Sequence, residues 1–238
     1  MIGIILAAGD GKRLKNSKNE SCCKPLTKIN EKSLISFALD NLVQLNINEA
    51  YIVIGKEGAL IKKAMGNEYN GIKLNYVSQQ EQKGLMNAFV QALNVVDCDE
   101  TIVLQLSDEI FIDLKTEDIK NMVKAEKADF YCGVTPEDNP EKIKNNFSVE
   151  SDSNSFLVKC TEKPKIVTSN TKGTGFTIFS DQAQKIIREN PDKFIDLCDC
   201  FNDFVASGYR GLVFTVAERE FNINTVEDLT EAEIFLNK

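Results

Sequence analysis

The sequence alternates short apolar runs with longer segments whose apolar residues recur at helical spacing. The first run, Ile2–Ala7, predicts a strand, and Ala50–Ile54 predicts a second strand after the amphipathic segment Ser33–Leu45. Because parallel strands need a crossover between them, which is usually a helix, this order is typical of an α/β fold. The unbroken apolar run Thr101–Leu106 favours a central strand covered on both faces. We therefore predict one α/β domain, residues 1–238, with a mostly parallel sheet.

The rest of the chain continues this alternation less regularly. Further helices are predicted over Glu57–Met65, Gly84–Leu93, Glu117–Glu126, Asp181–Arg188, Asp196–Ala206 and Thr225–Leu236, and further strands over Lys73–Val77, Phe130–Val134, Gly175–Phe179 and Gly211–Val216. The polar turn Asp152–Asn154 predicts a hairpin that joins Phe147–Val149 to Phe156–Val158. Thr225 is the expected N-cap of the last helix, because its hydroxyl can accept from a backbone N–H of the first turn.

Composition and charge narrow the class of protein. Apolar residues make up 42% of the chain and charged residues 27%, which is typical of a globular protein. No apolar run approaches the roughly 18 residues of a membrane span, and the N-terminal apolar run is too short for a secretory signal and lacks its basic start. We therefore expect a cytoplasmic protein that does not bind a membrane. The net charge of −8 argues against a nucleic-acid partner, because phosphates would be repelled.

The cysteine and histidine content restricts the chemistry further. The chain has 7 cysteines without a Cys-x-x-Cys pair and has no histidine, so reduced and mostly buried thiols are expected rather than a zinc site. Without histidine, Ser-His-Asp and Cys-His mechanisms are excluded. A reaction whose nucleophile is already ionised remains accessible, with the protein supplying position, charge neutralisation and a metal ion.

A glycine-rich turn directly follows the first strand. Gly9 and Gly11 directly precede the cations Lys12 and Arg13, so backbone N–H groups and fixed positive charge could meet a polyphosphate there. The turn lacks the third glycine of a dinucleotide site, since Leu14 takes that place, and its spacing differs from that of a P-loop. Taken alone, Gly-x-Gly after a strand is more often a tight turn than a ligand site.

The glycine-rich turn belongs to the first of five motifs that follow one another along the chain. They are Leu6–Leu14 with Lys24-Pro25-Leu26, Gln79–Leu85, Leu106-Ser107-Asp108, Glu162-Lys163-Pro164 and Asn222–Leu229. In this order the chain resembles the nucleotidyltransferases that activate sugar 1-phosphates and related phosphoryl compounds, over nearly its whole length. The resemblance implies a Rossmann-like three-layer α/β fold, similar to the GT-A fold, with a mixed and mostly parallel central sheet in a single domain.

The resemblance also implies a nucleoside triphosphate site. It assigns nucleotide binding to Leu6, Ala7, Ala8, Gly9, Gly11, Lys12, Gln79, Gln80 and Gly84. Arg13 would neutralise the departing pyrophosphate, and Lys24 would hold the α-phosphate or the acceptor phosphate. Gln79 or Gln80, with Gly84, would read the base, since an amide offers both a donor and an acceptor. The alternatives are a solvated surface lysine at position 24 and a helix-capping loop at 79–84.

The expected cofactor is Mg²⁺. Asp108 follows an apolar strand, where ligand sites of open α/β sheets form, and the resemblance supplies Asn224 as second ligand, or Asn222 as second choice. The alternative for Asp108 is a turn cap. The resemblance further implies that Glu162, Lys163 and Gly175 contact the acceptor, the glycine by letting it lie against the backbone.

The implied reaction couples a nucleoside triphosphate to a sugar 1-phosphate, giving an NDP-sugar and pyrophosphate. Three departures leave the acceptor open: Lys12, Cys23 and Ser148 stand where sugar-activating relatives usually carry threonine, proline and glycine. A cytidylyltransferase acting on phosphocholine, a phosphonate or another small phosphoryl acceptor is the close alternative. A ligand-binding relative without catalysis is a third reading, because Asn222 and Asn224 could replace carboxylates. The sequence makes no prediction of the base or of the oligomeric state.

Overall fold

The computed structural model describes residues 1–9, 11, 14, 23–79, 81, 83–96, 99–125 and 127–237. Its strands are β1 (Ile2–Ala7), β2 (Lys28–Ile29), β3 (Lys32–Ser33), β4 (Glu49–Ile54), β5 (Glu68–Tyr69), β6 (Ile72–Ser78), β7 (Ile102–Leu106), β8 (Glu109–Leu114), β9 (Phe130–Pro136), β10 (Phe147–Ser151), β11 (Leu157–Glu162), β12 (Thr171–Phe179), β13 (Gly211–Thr215) and β14 (Ala217–Asn222). Its α-helices are α1 (Leu34–Gln44), α2 (Gly58–Met65), α3 (Leu85–Leu93), α4 (Thr116–Lys124), α5 (Pro140–Lys144), α6 (Asp181–Glu189), α7 (Leu197–Ala206) and α8 (Val226–Leu236), and a 3₁₀ turn spans Lys24–Leu26.

Most of the strands belong to one mixed sheet. Within the described residues it has 10 strands in the order β11-β10-β12-β7-β1-β4-β6-β5, with β9 beside β12 and β13 beside β9. Strands β7, β1, β4 and β6 are mutually parallel, and β12 runs antiparallel to β7. From the pairings, β9, β10 and β13 also run in the direction of β1, and only β12, β11 and β5 oppose it. The predicted mixed, mostly parallel sheet is confirmed, with β7 at its centre.

Helices cover both faces of this sheet. Alternate residues of β1 point to opposite faces, so Ile4 belongs to a core cluster that includes residues of α3, α6 and α7, whereas Ile5 belongs to a cluster that includes residues of α1, α2 and α4. Phe130 of β9 stacks on Phe201 of α7, with ring centroids 5.0 Å apart. The three-layer α/β architecture is therefore confirmed. Among the described residues, no helix combines the length and apolar composition that a membrane crossing requires.

A two-stranded ribbon, β8 with β14, was absent from the sequence prediction. Its strands lie far apart in the sequence, and each mixes charged with apolar residues, so neither shows a clear local period. The pairing places Asn222 opposite Glu109, directly beside the end of β7. The predicted strand that begins at Gly175 begins instead at Thr171, whereas the hairpin of β10 and β11 and the N-cap at Thr225 are confirmed.

The described cysteines agree with the prediction of reduced thiols. Cys132, Cys160, Cys198 and Cys200 are free and buried, and Cys23 is free and half-buried. They act as small apolar side chains in the core, a frequent role of free cysteine.

Candidate active site

The site begins where β1 and β7 end. The two strands are parallel and adjacent, so their carboxyl ends meet at the same edge of the sheet. Ser107 N donates to Leu6 O at 3.1 Å, which holds the turn after β7 against the end of β1. Asp108 and Gly9 therefore lie at one edge, although about a hundred positions separate them in the sequence.

Lys24 reaches this edge from the 3₁₀ turn. Pro25 is buried, and Leu26 N donates to Cys23 O at 2.8 Å, which fixes the turn. Lys24 Nζ forms an ion pair with Asp108 Oδ2 and donates to Asn224 Oδ1 at 3.0 Å. Only 11% of the Lys24 side chain is exposed, so it is not a solvated surface lysine.

The N-terminus of α8 supplies Asn224. Thr225 and Asp228 form a capping box, in which Asp228 N donates to Thr225 Oγ1 at 3.2 Å and Asp228 Oδ2 accepts from Thr225 N at 2.8 Å. The same carboxylate oxygen accepts from Asn224 N at 2.9 Å. Ile223 N donates to Asp108 O at 2.9 Å, so the segment before the helix is tied to the turn that carries Asp108.

The two candidate asparagine ligands have different roles in the structure. Asn224 Nδ2 donates to Asn222 Oδ1 at 2.6 Å, so the amide oxygen of Asn222 is directed at Asn224. The oxygen of Asn224 faces Lys24 and Asp108 instead. The geometry thus favours Asn224 over Asn222 as a cation ligand.

The position between Asp108 and Asn224 suits a cation, because the ammonium group of Lys24 contacts both side-chain oxygens. One carboxylate and one amide oxygen are hard ligands of the kind that Mg²⁺ prefers, with water and substrate phosphates as the remaining ligands. In the part of the chain that the structure describes, no group of three or more cysteine, aspartate and glutamate side chains could hold a metal ion. These residues therefore fit a divalent ion that is held partly by its substrate.

A first cavity of about 430 Å³ opens above the ends of β1 and β7. Its lining includes Leu6, Ala8, Gly9, Gly11, Lys24, Gln79, Gly84, Asp108 and Asn224. Gln79 Nε2 donates to Gly84 O at 3.5 Å and to Asn87 Oδ1 at 3.3 Å, and the sequence had not indicated Asn87. Ala7 lies behind this lining in the core, and the predicted residues Lys12, Arg13 and Gln80 lie outside the described part of the chain.

The glycines of the first cavity are explained by different physical requirements. Gly11 and Gly84 have φ angles of 58° and 105°, which side chains rarely adopt. A Cβ at Gly9 would meet no atom within 4 Å, so packing within the described structure does not require a glycine there. Its small size is explained if a ligand approaches the backbone at this point.

A second cavity of about 760 Å³ adjoins the first. The two share the lining residues Leu85, Leu106, Asp108 and Asn224. The second cavity also contains the predicted acceptor residues Glu162, Lys163 and Gly175, together with Asn222. The structure therefore brings the described acceptor-side candidates to the same carboxylate as the nucleotide-side candidates.

The acceptor-side candidates are held in specific conformations. Lys163 has a φ of 44°, and its backbone N donates to Asn146 O at 2.7 Å. Its ammonium group pairs with Glu162 at 3.1 Å. A Cβ at Gly175 would come within 2.6 Å of Leu106 Cδ1, so packing alone already requires this glycine.

A buried charged group under the second cavity was missed by the sequence prediction. Glu109 accepts from Gly175 N at 2.8 Å and 3.0 Å through its two oxygens, and Lys172 forms an ion pair with Glu220. Burial, and then the charges of Glu220 and Asp108, hold the pKa of Glu109 well above its usual range. Burial alone would lower the pKa of Lys172, but the neighbouring carboxylates, Glu220 first, outweigh it and raise that pKa. The sequence alone carried no signal for these residues, because β8 and β14 mix charged with apolar side chains.

A site of this kind, with two cavities that meet at one carboxylate on the carboxyl edge of an α/β sheet, is typical of enzymes that bring two substrates together. The chain belongs to the nucleotidyl transferase family, whose model matches residues 2–234. The predictions of this family and of a nucleotidyltransferase enzyme are confirmed.

A curated relative and two solved structures resemble the chain over nearly its whole length. The UTP–glucose-1-phosphate uridylyltransferase AglF of Haloferax volcanii is 26% identical over 236 residues, covering 98% of this chain and 95% of the relative. The structure of a UDP-glucose pyrophosphorylase complexed with UDP-glucose superposes with a TM-score of 0.83 at 18% identity, covering 99% of this chain and 98% of that one. An inositol-1-phosphate CTP transferase from T. maritima superposes with a TM-score of 0.81 at 20% identity, covering 100% and 95%. The two superpositions show a shared fold.

Proposed function

We propose that residues 1–238 form a Mg²⁺-dependent nucleotidyltransferase domain that couples a nucleoside triphosphate to a sugar 1-phosphate. The products would be an NDP-sugar and pyrophosphate. The observation that carries this proposal is the junction of two cavities at Asp108 and Asn224, with Lys24 at the same point. Two anions that repel each other in solution could be held there on either side of a positive charge.

The proposal of a sugar acceptor is supported by the relative that matches nearly the whole chain. The name of the Haloferax protein specifies UTP and glucose 1-phosphate. The polar lining of the second cavity, which includes Glu162 and Asn146, offers acceptors and donors for sugar hydroxyls. Phe147 and Phe221 also line this cavity, and aromatic rings can bind the trimethylammonium group of phosphocholine, so the proposal of a sugar rests on the relative and on the polar side chains.

In the proposed reaction, a phosphate oxygen of the acceptor attacks the α-phosphorus of the triphosphate. The new bond joins that oxygen to the α-phosphorus, and the bond from the α-phosphorus to the β-phosphate oxygen breaks, releasing pyrophosphate. Because the attacking phosphate is ionised at neutral pH, the chain needs no general base, which agrees with a sequence that has no histidine. Lys24 and Arg13 would stabilise the charge on the transferred and departing phosphates.

Asp108 and Asn224 would hold the magnesium ion, with substrate phosphates completing its ligands. When bound, the ion would neutralise phosphate charge and fix the geometry of the triphosphate. The position of Lys24 implies that its ammonium group would leave the oxygens of Asp108 and Asn224 for a phosphate. Gln79, oriented by Gly84 and Asn87, would contact the base.

Pyrophosphate release tests the proposal directly. The protein is incubated with each of five nucleoside triphosphates (ATP, GTP, CTP, UTP and dTTP) and with hexose 1-phosphates, choline phosphate or a phosphonate, with Mg²⁺ or with EDTA. We expect turnover only with Mg²⁺ and with a hexose 1-phosphate. Turnover with CTP and choline phosphate alone would replace the sugar acceptor by the alternative. A protein that binds nucleotide but turns over no pair would be a binding relative.

A further inference from the structure

The second candidate ligand of the cation site is an amide, and an amide can be turned either way. One end of an asparagine side chain accepts hydrogen bonds and the other donates them, whereas both oxygens of a carboxylate accept. Asn224 could therefore present Nδ2 instead of Oδ1 to the position between itself and Asp108. A cation would be repelled if Nδ2 faced this position and would be bound if Oδ1 faced it.

We propose that Asn222 and Asn146 are positioning residues that turn the oxygen of Asn224 toward the cation position. This rests on the proposed function, since the cation is the magnesium ion of that site. Asn224 Nδ2 donates to Asn222 Oδ1 at 2.6 Å, and Asn222 Nδ2 donates to Asn146 Oδ1 at 3.1 Å. The three side chains form one hydrogen-bonded row, which we call the amide chain.

Both ends of the amide chain fix its direction. At the far end, Asn146 Nδ2 donates to the backbone carbonyl of Lys142 at 3.0 Å, and a carbonyl can only accept. At the near end, Asn224 Oδ1 accepts from Lys24 Nζ at 3.0 Å, and an ammonium group can only donate. Reversing any one amide would bring two donors or two acceptors together at both of its contacts. The amide chain therefore has one favourable orientation, with the oxygen of Asn224 facing Asp108.

The amide chain also connects the two cavities. Asn224 lines both of them, and Asn222 and Asn146 line the second, where the backbone carbonyl of Asn146 also accepts from Lys163 N at 2.7 Å. The orientation of the cation ligand is thus set from the acceptor side of the site. A ligand's hydrogen-bonding partner of this kind typically contributes 10–100-fold to metal affinity.

Mn²⁺ affinity in the presence of a non-hydrolysable α,β-methylene nucleoside triphosphate tests the proposal without turnover. We expect Asn222→Leu to weaken Mn²⁺ binding about 10–100-fold, measured by electron paramagnetic resonance of free Mn²⁺. Asn222→Asp keeps an acceptor for Asn224 Nδ2, so it should retain the affinity or increase it. Circular dichroism and thermal unfolding would verify that each variant is folded.

Two backgrounds separate positioning from charge and from general structural damage. Asn224→Asp replaces the amide by a carboxylate, whose two oxygens are equivalent as ligands. In that background, Asn222→Leu should lower the Mn²⁺ affinity by less than about 3-fold. Asn145→Asp adds a charge to the same cavity outside the amide chain, so it should not restore the affinity of Asn222→Leu.

The proposal would be overturned if Asn222→Leu and Asn222→Asp bound Mn²⁺ equally well, or if the cost of Asn222→Leu persisted beside Asn224→Asp. If the wild type binds Mn²⁺ and the variants bind it with the same affinity, the role of the amide chain is rejected but the proposed metal site is not. A wild-type protein that binds no Mn²⁺ with any nucleotide would reject the proposed metal site as well.

Discussion

The two cavities that meet at Asp108 are lined by different kinds of chemical groups. The first is lined mainly by backbone and apolar side chains, with Gly9, Gly11 and Gly84 around a single described cation, Lys24. The second is lined by charged and amide side chains that largely pair with one another, such as Lys163 with Glu162 and Lys172 with Glu220. One surface exposes the backbone to a ligand, whereas the other holds side chains in fixed positions.

This difference shows how the two halves of the site acquire their shape. A backbone surface is determined by local conformation, so a few glycines in the right turn are sufficient. A surface of paired side chains depends on partners from β8, β11, β12 and β14, and each change leaves another group unpaired. We therefore expect changes in the first cavity to alter ligand binding, and changes beneath the second to alter stability.

Asp108→Asn should have the largest effect, because Asp108 belongs to both cavities. The variant removes the counter-ion of Lys24 and the carboxylate proposed to hold the cation, and we expect kcat to fall about 10²–10³-fold while the protein stays folded. Pyrophosphate release at saturating Mg²⁺ and both substrates measures this effect.

Asp113→Asn on β8, the strand that begins one residue after Asp108, is the matched control, since Asp113 is exposed and has a φ of 55° that asparagine tolerates. Its kcat should equal that of the wild type. Full activity of Asp108→Asn would contradict its assignment as a metal ligand.

A pair of glycine variants compares the cavities directly. Gly9→Ala adds a Cβ that meets no atom within 4 Å, so the melting temperature should be unchanged. Its KM for the nucleoside triphosphate should rise about tenfold, or ~1.4 kcal/mol, because the new methyl group stands where the ligand approaches.

Gly175→Ala should do the opposite. Its Cβ would lie 2.6 Å from Leu106 Cδ1 and 3.0 Å from Glu109 Oε2, so we expect a loss of about 1–3 kcal/mol in the free energy of unfolding. Thermal unfolding and KM measurements on both variants provide the comparison. The comparison between the cavities would be contradicted if Gly9→Ala lowered the free energy of unfolding and Gly175→Ala left it unchanged.

Glu109→Gln should have the smallest effect, and the effect should depend on pH. Because the pKa of Glu109 is raised in the folded state, its contribution to stability is present below the pKa of the unfolded chain and is lost as the pH rises through the folded pKa. Glutamine imitates the protonated form, so the variant should lose less stability than the wild type between pH 5 and 8.

Melting temperatures across this range measure the difference. A gap that widens with pH to about 2–4 °C would correspond to ~1 kcal/mol for a chain of this size. Glu150→Gln, at an exposed carboxylate of β10, should give parallel curves. Parallel curves for Glu109→Gln as well would contradict the raised pKa.

The sequence was most informative where neighbouring residues determine the structure. The strand Ile2–Ala7 and the helix cap at Thr225 both depend on local pattern, and both predictions are confirmed. The ribbon of β8 and β14 was missed because its pairing is long-range and its strands lack a clear period.

The candidate site divides in the same way. Lys24, Asp108 and Asn224 were selected by motif, but their contact joins residues 84 and 200 positions apart, which no local pattern specifies. Glu109, Lys172 and Glu220 were missed because a charged residue in the sequence gives no sign of burial until its partners are known. Asn87 was missed because it acts by accepting from the side-chain amide of Gln79, a contact that the sequence does not show.

The sequence by itself determined an α/β chain with a glycine-rich turn after its first strand, and chemistry without histidine. The tertiary structure decided how Lys24, Asp108 and Asn224 come into contact beside that turn and which charges are buried beneath the second cavity. The physical reason is that backbone conformation follows from adjacent residues, whereas contacts between side chains exist only after distant strands have paired.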